Sequence, residues 1–277
     1  MSITPEFVQT LSPLVRRITA DNPSVFTGPG TNTYLVGTEE VTVVDPGPPI
    51  QKHIEAIVNA PGEITQIIVT HTHPDHSPGT KLLQEKLDVP AYGLITDSSK
   101  GQDETFVPKS LLADQQIIHG KEFTFRVIHT PGHASNHLCF LLEQEDMLFS
   151  GDHLMNGSTV VIPPPDGNMK DYIDSLKKLK RYEMKSIAPG HGEIISHPYA
   201  AAEWIIQHRL QRERKILRAL QQARKGTADS LVETVYDDVD TAVLQAAKWS
   251  LESHLIKLLE DGEISKEGDQ YSYRSNE

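Results

Sequence analysis

The sequence predicts an α/β chain in two parts, an αββα four-layer sandwich followed by a small C-terminal helical domain that closes in a β-ribbon. Three observations carry this prediction. Early in the chain, short β-branched apolar runs alternate with amphipathic helical stretches. From residue 117 the strands follow one another as hairpins, before one more helix and strand. Beyond His197-Pro198 the short strands give way to long helical stretches.

Residues 33–36, 41–44 and 67–70 read as strands, because Val, Ile, Thr and Tyr fill them and a polar or Gly/Pro element ends each. Between them, Ile50, Ile54, Ile57 and Val58 recur at helical spacing, and residues 78–87 form a second helical pattern. Strands at 123–128, 138–142 and 147–150 follow, then a helix from about 171 to 182 and a strand at 186–188. Two β-rich halves, each with its own helices, stack as the sandwich. The domain boundary is placed at 200/201, giving domains 1–200 and 201–277. A helix over 199–225 opens the second domain, with Gly226 as its C-cap. Thr227 caps a further helix reaching 236, and a third spans 241–261 before Gly262 stops it. A hairpin then turns at Lys266-Glu267-Gly268-Asp269. Helices followed by a small ribbon resemble a winged helix.

A chain of 277 residues can bury a full core, and 38% hydrophobic with 23% charged residues excludes a disordered polypeptide. The net charge of -12 repels polyanions at long range, so a nucleic-acid partner needs a local basic patch. Cys139 is the lone cysteine, which excludes an internal disulfide, and its apolar strand marks it as a buried structural thiol. No run of about 18 apolar residues occurs, and the first residues lack the apolar core of a secretion signal. A cytoplasmic protein with no membrane partner is expected.

Chemistry concentrates in His71-Thr72-His73-Pro74-Asp75-His76, which places three imidazoles and a carboxylate directly after an apolar strand. A strand-end loop stiffened by Pro74 can turn these groups toward one point, and imidazole with carboxylate is a ligand set that Zn(II) accepts. Downstream, His133 in Thr130-Pro131-Gly132-His133, Asp152 in Ser150-Gly151-Asp152 and His191 in Pro189-Gly190-His191-Gly192 each follow an apolar strand. Alone, each is an exposed turn residue. Together with the first cluster they form a site.

The pattern H-x-H-x-D-H with a later His, Asp and His resembles the metallo-β-lactamase superfamily over residues 32–192. That resemblance implies one metal held by His71, His73 and His133, a second by Asp75, His76 and His191, and Asp152 bridging both. It implies two divalent ions, zinc foremost, with iron or manganese as alternatives. Asp45 matches an early aspartate of the family that braces the ligand loop, although its local chemistry reads equally well as a turn-forming Asp. A hydroxide shared by two cations is available near neutral pH while one metal polarises the oxygen under attack. Asp75 or Asp152 then takes up or passes on a proton. True β-lactamases of the superfamily usually lack the bridging aspartate, so the thioesterase, lactonase and ribonuclease branches are the better comparison.

Asn22-Pro23, the stretch from Gly30 to Gly37, His137 four residues after His133, and residues 251–273 resemble the β-lactamase-like protein 2 (endoribonuclease-type) family. This resemblance implies a single-stranded RNA substrate. A thioesterase or lactonase of the hydroxyacylglutathione hydrolase type, acting on a small ester, is the alternative, and a non-enzymatic nucleic-acid-binding regulator is the third reading. Arg209, Arg212, Arg214, Lys215, Arg218, Arg224 and Lys225 make one helix basic. Without interleaved aromatics it reads first as an ordinary solvated helix. The tail is expected to bind RNA, pair subunits in a homo-oligomer or cover the active site. His137 is expected to hydrogen-bond a substrate oxyanion or phosphate, whereas His153, next to Asp152 on an extended chain, points the other way. Asn32 is a candidate for the site rim. His53, His119, His129, His197, His208 and His254 are left as structural or exposed.

Overall fold

The computed structural model describes residues 3–97, 101–239 and 244–274. Strands β1 (Gln9–Thr10), β2 (Val15–Thr19), β3 (Asn32–Val36) and β4 (Glu40–Val44) are followed by α1 (Gln51–Val58) and β5 (Glu63–Ile68). Then come α2 (Gly79–Lys86), β6 (Ala91–Gly93) and β7 (Ser110–Leu111). Among the described residues these strands form a seven-stranded sheet in sequence order, antiparallel up to β4 and parallel from β4 to β7. The change of sense falls where α1 and α2 begin, because parallel neighbours need a crossover helix.

The second sheet contains β8 (Ile117–His119), β9 (Thr124–His129), β10 (Leu138–Leu142), β11 (Met147–Gly151) and β12 (Ser186–Pro189), in the order β12-β11-β10-β9-β8. Its only parallel pair among the described residues, β11 with β12, is joined through α3 (Met169–Leu179). The C-terminal part consists of α4 (Pro198–Ala223), β13 (Lys225–Gly226), α5 (Ala228–Val235), α6 (Leu244–Glu260), β14 (Ile264–Glu267) and β15 (Gln270–Tyr273). Of the third predicted helix, residues 241–243 lie outside the described residues.

Period-two alternation builds the layers. On β3 and β4, Leu35, Val41 and Val43 pack under Ile54, Ile57 and Leu83 of α1 and α2. Tyr34, Val36 and Val44 face the other way, onto Phe125, Phe140 and Phe149 of the second sheet. On the far face of that sheet Cys139, Leu141 and Leu148 meet Tyr172, Leu176 and Ile205 of α3 and α4. Strand β10 is buried on both faces, which is why it reads in sequence as one unbroken apolar run. The chain is thus the αββα sandwich with a C-terminal winged-helix domain.

The structure adds to or departs from the sequence reading at four points. Strand β2 carries Arg16 and Arg17 and gives no strand signal, yet Arg17 is fully enclosed and its guanidinium donates to Gly192 O, Gln9 and Glu193. Helix α4 ends at Ala223 with Arg224 at φ +64°, so Gly226 is not a C-cap; it pairs with Tyr271 across β13 and β15. The 200/201 boundary falls inside α4, whose Ala202, Ile205 and Ile206 pack on the sandwich while Ile216 and Leu220 join the C-terminal core. An unbroken helix therefore links the two parts. Finally, Arg214 and Arg218 are exposed, as a solvated basic face requires, but Arg209 and Arg212 are 3% and 5% exposed, enclosed between the two parts. Thr227 does cap α5, accepting the Ser230 amide at 3.1 Å. Among the described residues, no helix is long and apolar enough to cross a membrane.

Candidate metal centre

The seven predicted ligand residues meet at one edge of the sandwich, each on a loop that leaves a strand: 71–76 after β5, His133 after β9, Asp152 after β11 and His191 after β12. His73 Nδ1 lies 3.0 Å from His71 Nε2 and 2.9 Å from His133 Nε2. His191 Nε2 lies 3.3 Å from both Asp75 Oδ2 and Asp152 Oδ1, and His76 Nε2 lies 3.3 Å from Asp152 Oδ1. Asp152 Oδ2 is 3.6 Å from His133 Nε2, so this one carboxylate spans both groups. Nitrogens bound tetrahedrally to zinc at about 2.1 Å stand roughly 3.4 Å apart, close to these separations.

Hydrogen bonds on the outer side fix which nitrogen of each imidazole faces inward. His76 Nδ1 donates to Asp45 Oδ2 at 2.9 Å, His133 Nδ1 to Val161 O at 2.7 Å and His191 Nδ1 to Gly30 O at 3.2 Å. The Thr70 hydroxyl donates to Asp45 at 2.7 Å and therefore accepts from His71 Nδ1 at 2.9 Å. All four leave Nε2 as an inward lone pair, the arrangement that outer partners impose on metal-bound histidine. His76 Nε2 and Asp152 Oδ1 are also buried without a hydrogen-bond partner. Buried polar atoms rarely stay unmatched, so the donor set fits divalent cations.

Electrostatics divide the cluster. Burial lowers His71 well below the usual imidazole range, helped by His76 and His73, and brings His73 down to about 3. Burial also opposes protonation of His191, but the Asp152 and Asp75 carboxylates overcome it and hold the ring at about 9. For Asp75 burial pushes upward, and His76 and His191 outweigh it, bringing the carboxyl to about 2.

Two glycines make the approach possible. A Cβ at Gly190 would sit 2.6 Å from Asp152 Oδ1 and 2.7 Å from His76 Cε1. One at Gly151, where φ is +45°, would meet Thr70 Oγ1 at 2.6 Å.

Sequence reasoning missed the clamp on the His191 loop. Asn32 does not reach the rim; it is buried, and its amide donates to Pro189 O at 3.0 Å and Gly192 O at 2.9 Å. Tyr34 Oη adds a bond to Pro189 O at 2.7 Å, and Arg17 one to Gly192 O at 2.8 Å. His137 is also corrected. It is fully buried, donates Nδ1 to Thr130 Oγ1 at 3.0 Å and accepts the Asp152 amide at Nε2 at 3.2 Å. With both nitrogens engaged, it holds Asp152 in place and does not face substrate. His153 points away into the core, edge-on to Tyr172.

The cluster opens into a cavity of about 600 Å³. His73, Asp75, His133, Asp152 and His191 form its reactive end, and Met155, Val160, Val161 and Pro163 form one wall. His208, Arg209 and Arg212 of α4 line it too, with Tyr236, Ala247 and Trp249 from beyond that helix. His208 is therefore part of the cavity, a placement no local signal in the sequence announces.

Residues 26–191 match the Metallo-beta-lactamase superfamily. The chain belongs to that superfamily. As a metallo-β-lactamase-fold metallohydrolase it also carries, over residues 227–274, the Beta-lactamase associated winged helix domain. It is 33% identical to a beta-lactamase-like protein 2 homolog of Caenorhabditis elegans, over 94% of this chain and 88% of the relative. An atrochrysone carboxyl ACP thioesterase of Cryptosporiopsis sp. is 28% identical over 93% of this chain and 84% of its own. A beta-lactamase domain protein from Burkholderia ambifaria shares the metallo-β-lactamase fold with a TM-score of 0.85 at 20% identity, covering 99% of this chain and 95% of that one.

Proposed function

We propose that this metallohydrolase cleaves small acyl esters, thioesters foremost. The observation that carries the reading is the cavity: it begins at the His/Asp cluster and is walled by Met155, Val160, Val161, Pro163 and Ala247, surfaces that suit an acyl chain. A relative named as a carboxyl ACP thioesterase, aligned over nearly the whole chain, supports the same class.

His71, His73 and His133, and Asp75, His76 and His191, together with Asp152, would hold two divalent ions, which would supply Lewis acidity and lower the pKa of water when bound. The protein's own part is positional. Outer bonds to Thr70, Asp45, Val161 and Gly30 hold the imidazoles, and the His137 bond to the Asp152 amide holds the shared carboxylate. Asp75 and Asp152 are the carboxylates that line the cavity, so the proton released as water attacks the acyl carbon passes through one of them to the departing sulfur or oxygen. The apolar walls exclude bulk water from the acyl chain.

Single-stranded RNA is the second reading, supported by Phe26 and Trp249, aromatics 54% and 38% exposed that line the same cavity and offer stacking faces. Against it stand the net charge of -12 and the enclosure of Arg209 and Arg212. The test is turnover by protein loaded separately with zinc, iron(II) or manganese, on a butyryl N-acetylcysteamine thioester, a γ-lactone and labelled single-stranded RNA, with Asp75→Ala as control. Thioester or lactone hydrolysis that the variant lacks is expected. RNA cleavage with all acyl substrates untouched would overturn the proposal in favour of the second reading.

A further inference from the structure

Arg209 is an unusual cation. Its side chain lies between the two parts of the molecule, 3% exposed, and lines the cavity that contains the His/Asp cluster. Other cations nearby have anionic partners: the buried Arg212 is bidentate on Asp238 at 2.8 and 3.3 Å, and the half-buried Lys257 bonds Glu213 at 3.0 Å. Among the described residues no carboxylate lies within 4.0 Å of Arg209. The guanidinium donates an Nη2 bond to Val160 O, stands 5.5 Å over the Tyr172 ring and interacts with that phenol, while its Nε has no acceptor. A buried charge without a counter-charge is costly, and a protein that keeps one in a cavity stabilises it by admitting an anion.

A second orphan lines the same cavity. The Tyr236 hydroxyl is buried and has no hydrogen-bond partner. Burial raises this phenol to about 12, so it keeps its proton and remains a donor throughout the physiological range. Guanidinium N–H and phenol O–H are both donors; a carboxylate or phosphate accepts from both and also supplies the counter-charge that Arg209 lacks.

We infer that Arg209 and Tyr236 bind an anionic group of the substrate, so that the enzyme's substrate class is acyl esters carrying a carboxylate or a phosphate. This rests on the acyl-ester reading given above. The anion has two possible sources, a carboxylate on the acyl chain or a phosphate on the leaving group.

The test compares charged and neutral partners of equal shape on the metal-loaded, full-length protein. The first pair is the glutaryl thioester of N-acetylcysteamine and its terminal amide. The second is butyryl phosphopantetheine and butyryl pantetheine. Because charge-assisted hydrogen bonds discriminate strongly, the charged member of one pair should show a KM lower by about tenfold or more, and that pair identifies the source. Arg209→Gln should erase the preference, bringing the KM ratio of charged to neutral member to about one, and Arg209→Lys should restore part of it. A purely structural Arg209 would instead depress both members equally. Should the variants not fold, the wild-type comparison decides. Equal KM values in both pairs overturn the inference while the acyl-ester reading stands. If no thioester is cleaved, that reading fails, and titration with the inert thioether analogues of the same pairs decides the anion site: tighter binding of a charged analogue sustains it, and equal binding removes it.

Discussion

Replacing Asp45 by Asn keeps the shape of the side chain and changes one atom from an acceptor to a donor. In the wild type, Asp45 Oδ1 accepts the Thr70 amide at 2.7 Å, while Oδ2 accepts the Thr70 hydroxyl at 2.7 Å and His76 Nδ1 at 2.9 Å. All three donors are committed, so whichever way the new amide turns, its NH₂ faces at least one of them. With the NH₂ in the Oδ2 position, the arrangement that spares the Thr70 amide, His76 must accept at Nδ1 and carry its proton on Nε2. The lone pair that His76 directs at Asp75 and Asp152 is then lost. Outer partners of metal-bound histidine are worth about 10- to 100-fold in metal affinity, or roughly 1.4–2.8 kcal/mol. Competition titration against a chromophoric chelator should therefore show Asp45→Asn weakening one of two zinc sites by that factor, the site that includes His76. If both dissociation constants remain within about twofold of wild type, the tautomer argument is wrong and Asp45 merely shapes the turn.

The other expectations are shorter. His137→Leu removes the acceptor for the Asp152 amide in a fully buried site, so metal content and stability should fall while KM stays unchanged; a raised KM with both metals retained would return His137 to the substrate. Gly190→Ala places a methyl 2.6 Å from Asp152 Oδ1, so purified protein should lose at least one metal equivalent by elemental analysis, and full occupancy would contradict the packing. His254 is buried and burial lowers it to about 4, so the folded state binds fewer protons than the unfolded chain between that value and 6.5. Stability must therefore decline as pH falls through this window, by about 2 kcal/mol between pH 7 and 4.5, and urea unfolding of His254→Gln should lack that share of the loss. Equal losses in the two proteins would show that His254 titrates normally.

The ligand set was legible because metal-binding side chains follow strands, and strands announce themselves by β-branched apolar runs. His71, His133, Asp152 and His191 all lie just beyond such a run. The layers were legible for the same reason, since β4, β9, β10 and β11 have two buried faces each or alternate cleanly. What stayed hidden is contact between distant segments. Arg17 looks like a surface charge until Gly192, 175 positions away, is seen to accept from it. His137 looks like a catalytic residue because it is near the ligands in sequence, but its nitrogens are taken by Thr130 and Asp152. Arg209 and Arg212 look solvated because nothing local reveals that a second domain folds back over α4.

Helix α4 is a continuous rod of 26 residues that begins against the sandwich and ends in the winged-helix core. The two halves of the cavity are thus fastened to a single stiff member, and the chain divides its labour along its length. Everything up to His191 supplies the reactive apparatus and the apolar lining of Met155, Val160, Val161 and Pro163, and everything from His208 onward supplies the side that carries Arg209 and Arg212. A lineage could exchange the last third of the chain and acquire a new diet without disturbing the chemistry. Conversely, the first two thirds alone would keep the reactive end and its apolar lining and lose the cationic side of the cavity.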